Sequence, residues 1–134
     1  MKVNTYTFKM TPVPKPRMVR SDKWKNRPVV TKYWAFKDML QMYARIQGLY
    51  ELPGSIYSIR FNIALPESWS KPRKERMDGF PHQQKPDLDN LCKSCFDILC
   101  KEDSHIYEIT NGLGKYWARE ASIVITVVED HPGS

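Results

Sequence analysis

The chain has 134 residues, 41% of them hydrophobic, with 21 Lys and Arg against 15 Asp and Glu for a net charge of +6. That length supports one ordinary core, so a single domain over residues 1–134 is expected. No apolar run approaches the roughly 20 residues needed to span a bilayer, and MKVNTYTFKM lacks the charged-then-apolar order of a secretory signal, which points to a cytoplasmic protein with no membrane partner.

Val3 to Met10 alternates Val3, Thr5, Thr7 and Lys9 with Asn4, Tyr6, Phe8 and Met10, and its β-branched and aromatic content predicts a first strand. Pro12, Pro14, Pro16 and Pro28 then exclude a regular element, leaving PVPKPRMVRSDKWKNRPVV as a long basic loop. Loops of this length in compact domains are usually functional or disordered, and Lys15, Arg17, Arg20, Lys23, Lys25 and Arg27 suit phosphate contacts. Thr31 is a candidate N-cap for a helix running to about Gln47, with Gly48 as its stop signal. Tyr33, Phe36, Leu40, Tyr43 and Ile46 recur at three- and four-residue steps and give that helix an apolar face to pack on a sheet.

Pro53-Gly54 marks a turn, and Ser55 to Leu65 reads as a central strand through Ile56, Ile59, Phe61, Ile63 and Leu65. From Pro66 to Pro86 there is no periodicity, and the stretch reads as a second basic loop in which Arg73, Lys74 and Arg76 are candidate DNA contacts. Trp69 and Phe80 in that loop either stack on exposed bases or cover local core. A second helix follows, with Leu88, Leu91, Cys92, Cys95, Phe96 and Leu99 on one stripe and Asp89, Lys93, Asp97 and Lys101 on another. Ile106 to Thr110 and Ser122 to Val128 read as closing strands, a hairpin joined around Asn111-Gly112-Leu113-Gly114 or somewhat later. No internal repeat or low-complexity segment is present.

The most informative stretch is KPDLDNLCKSCFDILCKEDSHI, from Lys85 to Ile106. Carboxylates gathered at one point repel one another unless cations join them, so Asp87, Asp89 and Asp103 suggest a hard divalent metal, magnesium, with oxygen ligands. Lys93 lies one helical turn after Asp89, where its ammonium could stabilise negative charge developing on a phosphodiester. The charge is divided to match. Residues 1–76 hold 16 basic and 5 acidic residues (+11), and residues 77–134 hold 5 and 10 (−5), a basic half fit for a polyanion and an acidic half fit for a metal.

Each of these signals has a plainer account. Asp87 could cap the helix and Asp89 complement its dipole with no metal at all, and Lys93 could form a surface i,i+4 pair with Asp97. Asp97 is read that way. Cys92, Cys95, Cys100 and His105 are spaced as in a zinc knuckle with the last two ligand types exchanged. A knuckle wraps its ion in glycine-rich turns, whereas this stretch has no glycine and its first two cysteines share an apolar helical stripe, so the three cysteines read as reduced core thiols. An EF-hand fails as well, because counting from Asp87 puts Cys92 where the loop needs glycine.

The segment resembles the signature of the RusA family of Holliday junction resolvases, carried by many phages and prophages, in which D-L-D-N-L-x-K opens a helix, F-D-x-L follows and an acidic pair precedes a strand. The likeness covers nearly the whole chain, including the N-terminal P-x-P-K-P-R and its basic stretch. It implies a small mixed α/β (α+β) domain, here about four strands with two helices on the sheet, acting as a homodimer on branched DNA with magnesium and no small-molecule cofactor. Carried over residue by residue, it assigns metal binding and catalysis to Asp87, Asp89 and Asp103 and a catalytic role to Lys93. The chain departs in having Glu102-Asp103 where two aspartates are frequent, and His105 where glutamine is common. The resulting expectation is paired nicking of four-way junctions. The competing readings are a non-catalytic nucleic-acid-binding protein with a zinc-knuckle-like site and a phage nuclease for flaps or forks.

Overall fold

The computed structural model describes residues 2–17 and 27–129, apart from the side chains of Asp103 and Glu129. Strand β1 (Lys2–Phe8) leads through the proline-rich segment to helix α1 (Pro28–Ile46), then to β2 (Ser55–Ile56) and β3 (Ser58–Ala64). Helices α2 (Lys71–Met77) and α3 (Leu88–Leu99) follow, then a 3₁₀ turn (Asp103–His105), β4 (Glu108–Ile109), β5 (Leu113–Ala118) and β6 (Ser122–Glu129). The main sheet has the order β1-β6-β3-β5, with β6 antiparallel to both β1 and β3, and β5 parallel to β3. It is a small mixed α+β domain, with β2 and β4 forming a separate two-stranded parallel ladder. No helix among the described residues is long and apolar enough to cross a membrane.

The core lies between one face of this sheet and the helices α1 and α3. Ile123, Ile125 and Val127 alternate inward along β6, beside Ile59 and Phe61 of β3 and Phe8 of β1. Val30, Tyr33, Phe36, Leu40 and Ala44 cover them from α1, and Leu91, Cys92, Cys95, Ile98 and Leu99 from α3. The period of 3.6 thus places α3's apolar stripe as the sequence predicts, with Phe96 partly buried at its margin.

Five expectations change. The strand expected over Ser55 to Leu65 breaks at Tyr57 into β2, paired with β4, and β3 of the main sheet. Helix α1 begins at Pro28, not Thr31, because proline lacks the N–H that a first-turn residue does not need; the proline opens the helix it was expected to exclude. Its apolar face turns onto Ala44, and Ile46 is 74% exposed. The region read as a second loop contains α2, capped by the Ser70 hydroxyl accepting from the Arg73 N–H at 3.4 Å. α2 buries none of its residues, so no hydrophobic period announces it. Finally, the closing strands do not form a hairpin: β4 pairs with β2, and β6 inserts between β1 and β3. The Gly112–Gly114 stretch, read as a turn, instead opens β5. Gly114 leaves room there for the Tyr116 ring, over which the Arg60 guanidinium sits at 4.0 Å.

Candidate active site

Pro86 delivers the chain into α3 with Asp87 as its N-cap in extended conformation (φ −68°, ψ 144°). The Asp87 carboxylate makes no capping hydrogen bond and is exposed, so it is available to a ligand. Asp89 is exposed in the first turn, where it complements the helix dipole, and Lys93 is exposed one turn further along. Asp97 differs from expectation: its partner is Lys15 of the proline-rich segment, at 2.5 Å, and not Lys93. That ion pair ties the basic segment to α3. It also engages one of the lysines expected on DNA.

Asp87 lines an open cleft of about 480 Å³ together with Thr11, Pro12, Pro14, Lys32, Ile63, Lys85, Pro86 and Asn90. β1 and β3 run in the same direction, both antiparallel to β6, so the cleft lies at their shared carboxyl ends, where α3 begins. Two lysines and one exposed carboxylate thus border a trough open to solvent, a setting in which a phosphate backbone can meet both cations and an acid-held metal. Neither Lys32 nor Lys85 is among the basic residues that the sequence marks as DNA contacts. Topology brings Lys32 of α1 to the start of α3.

Asp103 enters elsewhere. It opens the 3₁₀ turn beyond the far end of α3, whose 12 residues span about 18 Å. His105, in the same turn, is exposed and lines a different groove with Tyr6, Gly48–Pro53, Val127 and Val128. Among the described residues no three His, Cys, Asp or Glu side chains come together as a metal site. One chain therefore sets Asp87 and Asp89 at the start of α3, Lys93 midway along it and the Asp103 backbone beyond its far end.

Of the basic candidates, Arg17 and Arg27 lie together, with the Arg27 guanidinium donating to the Arg17 carbonyl at 2.9 Å. Arg20, Lys23 and Lys25 lie outside the described residues. Arg73, Lys74 and Arg76 all fall on α2, and Arg73 stacks 3.9 Å from the ring centre of Trp69. Trp69 packs on Trp117 at 4.8 Å and covers local core, whereas Phe80 is 55% exposed. His82 lies buried 4.2 Å from Trp117 with its Nδ1 unpartnered. Burial, reinforced by the nearby Lys115 ammonium, pushes its pKa below the ordinary value.

The cysteines behave as core. Cys92, Cys95 and Cys100 are buried thiols, none in a disulfide, while His105 is exposed. Burial, with a smaller contribution from Asp89, pushes the Cys92 thiol up to about 12, and burial raises Cys95 as well. Thiolate ligands for zinc need the opposite environment.

Comparison with curated proteins returned no match. Comparison with protein families returned one whose description is endodeoxyribonuclease RusA, matching residues 8–128. That span takes in all of α3, the cleft at its start, β3, β5 and β6 up to its last residue, and the final residue of β1. The chain therefore belongs to the RusA family of endodeoxyribonucleases, the Holliday junction resolvases.

Proposed function

We propose that the protein is a magnesium-dependent resolvase that cuts four-way DNA junctions by paired nicks, with Asp87 and Asp89 as metal-binding acids and Lys93 as the catalytic cation. The observation that carries this reading is the Asp87 carboxylate, exposed at a cleft edged by Lys32 and Lys85 and not engaged in capping its own helix. The donor set fits a hard cation, since Asp87 and Asp89 offer carboxylate oxygens and no sulfur. Bound there, magnesium would polarise the scissile phosphate and lower the pKa of an attacking water. The chain's own groups do the rest. Lys32 and Lys85 hold flanking phosphates, and Lys93, one turn beyond Asp89, offsets negative charge on the phosphoryl oxygens or the leaving oxygen.

A third carboxylate requires a second chain. Because α3 separates Asp103 from Asp87 within one chain, the reading assigns Asp103 of a two-fold-related copy to each site. The homodimer then has two functions: it completes the acidic cluster, and its symmetry matches the two equivalent strands of a junction.

The test is cleavage of a synthetic four-way junction against a linear duplex of matched sequence, with magnesium or chelator. Asp87→Asn and Asp89→Asn each abolish cutting while preserving or tightening junction binding, because a ligand acid is lost and repulsion of phosphate falls. Asp103→Asn is inactive alone. Mixed with Asp87→Asn and allowed to exchange subunits, it regains nicking, because the mixed dimer holds one site with every acid intact. Near-normal turnover of Asp87→Asn returns the acids to helix capping, and no recovery on mixing rejects the shared site.

A further inference from the structure

We propose that Lys115, on the neighbouring strand and outside the acidic cluster, is a positioning residue for the resolvase reaction, its ammonium fixing the backbone that delivers Asp87. The inference rests on the reading of Asp87 and Asp89 as metal-binding acids. Lys115 lies within β5, opposite Phe61 of β3, and is half-buried. Its Nζ donates to the carbonyl oxygens of Gln84 at 2.5 Å and Pro86 at 2.6 Å. Hydrogen bonds from an ammonium are roughly twice as strong as neutral ones. One cation gathering two carbonyls, two residues apart, fixes the course of the chain between them.

The position of these bonds gives them their consequence. The backbone of β5 already binds the preceding segment: the His82 N–H donates to the Lys115 carbonyl at 2.9 Å, the Gly79 N–H to the Trp117 carbonyl at 2.8 Å, and the Trp117 N–H to the Phe80 carbonyl at 2.9 Å. Pro81 faces Tyr116 across this short antiparallel run. Beyond His82 the run stops, and among the described residues no backbone–backbone bond holds Gln83 to Pro86. The Lys115 side chain takes over there and carries the attachment to Pro86, whose carbonyl shares a peptide with the Asp87 nitrogen. It therefore holds the peptide plane from which the acid projects. A misplacement of about 1 Å at a reacting centre can cost on the order of 10²-fold in rate.

The test compares wild type, Lys115→Met, and Lys115→Cys before and after alkylation with 2-bromoethylamine, which rebuilds an amine on a side chain of lysine's length. Buried Cys92, Cys95 and Cys100 are shielded from the reagent, and wild type carried through the same treatment controls for any reaction there. Amide exchange at Leu91, whose N–H donates to the Asp87 carbonyl at 3.1 Å, is followed first in the metal-free protein. Single-turnover cleavage is then measured across magnesium concentrations, and junction binding in chelator. Lys115→Met speeds that exchange at least about tenfold without altering β1, β3 or β6, slows cleavage about 10- to 100-fold and raises the half-saturating magnesium concentration. Junction affinity stays within about threefold, and aminoethylation restores both exchange and rate. Wild-type exchange and rate in Lys115→Met overturn the proposal, as does failure of aminoethylation to restore them. A loss of affinity parallel to the loss of rate also overturns it, because it makes the ammonium a phosphate contact. If removing the charge prevents folding, Lys115→Arg, which keeps charge and displaces the donors, carries the test: a higher magnesium requirement supports the brace and a wild-type requirement rejects it. Asp87→Asn runs beside every arm, and if it still cuts, the reading of the acids fails independently of Lys115.

Discussion

The Lys15–Asp97 ion pair separates holding the basic segment from performing the chemistry, and a double-mutant cycle measures it. The perturbations are Lys15→Met, Asp97→Asn and the two together. The Nζ···Oδ2 distance is 2.5 Å and the side chains are 34% and 20% exposed, so the pair is neither fully solvated nor desolvated. Exposed pairs contribute about 0.2–1 kcal/mol, and partial shielding places this one near the top of that range, about 1 kcal/mol. At about 2.1 cal/mol/K of unfolding entropy per residue, 134 residues convert that coupling into about 3–4 °C of melting temperature. Thermal melts of the four proteins at low and high salt give the coupling directly, and it shrinks as salt rises. Cleavage by Asp97→Asn at saturating protein stays within about twofold of wild type, because Asp87, Asp89 and Lys93 keep their places on α3. Junction binding at low salt holds or tightens, because Lys15 is released to the phosphates and one negative charge is gone. Strictly additive single effects, or a cleavage loss matching that of Asp87→Asn, refute the reasoning.

Purified protein contains no stoichiometric zinc, and Cys92→Ala with Cys100→Ala costs about 1–3 kcal/mol in total while magnesium-dependent cleavage persists; metal analysis and denaturant melts check both. His82 supplies a pH dependence: its folded pKa lies below its ordinary value of 6.5, so the unfolded chain takes up the proton first. Stability is full above about pH 6.5 and falls as pH drops below it, by at most about 1.4 kcal/mol per unit, and melts of His82→Phe between pH 7.5 and 5.5 show a shallower fall. Lys32→Gln with Lys85→Gln weakens junction binding and lowers the salt slope by up to about 2, at about 0.9 per phosphate contact; an unchanged slope across a salt series removes the cleft from the DNA path.

What was legible in the sequence followed from local physics. α3 could be read because its buried residues obey a 3.6 period over the whole helix, and β1 and β6 because their inward side chains alternate. α2 could not, since a helix with no buried residue leaves no pattern, and Ser70 and Pro72 were its sole markers. β5 was hidden for a related reason. Its glycines read as a turn, whereas Gly114 makes space for a ring that follows it by two residues. The hairpin failed because pairing is a long-range choice: β6 gains two antiparallel neighbours by inserting between β1 and β3, and a turn signal records none of that.

The candidate site divides along the same line. Residue types point to its chemistry, and Asp87, Asp89 and Lys93, within seven residues, needed just one helix to place them at its start and along its first half. Asp103 is near them in the sequence and far in space, because α3 turns the intervening residues into a rigid spacer of about 18 Å. A spacer of that kind is itself informative. An acid that one chain sets beyond the reach of its partners can join them only from another chain, and two such chains exchange acids reciprocally, giving two equal sites related by the two-fold axis. A substrate with two equivalent strands to cut calls for that symmetry. On the proposed reading, the separation of Asp103 from Asp87 and the pairing of nicks have one cause, the length of α3.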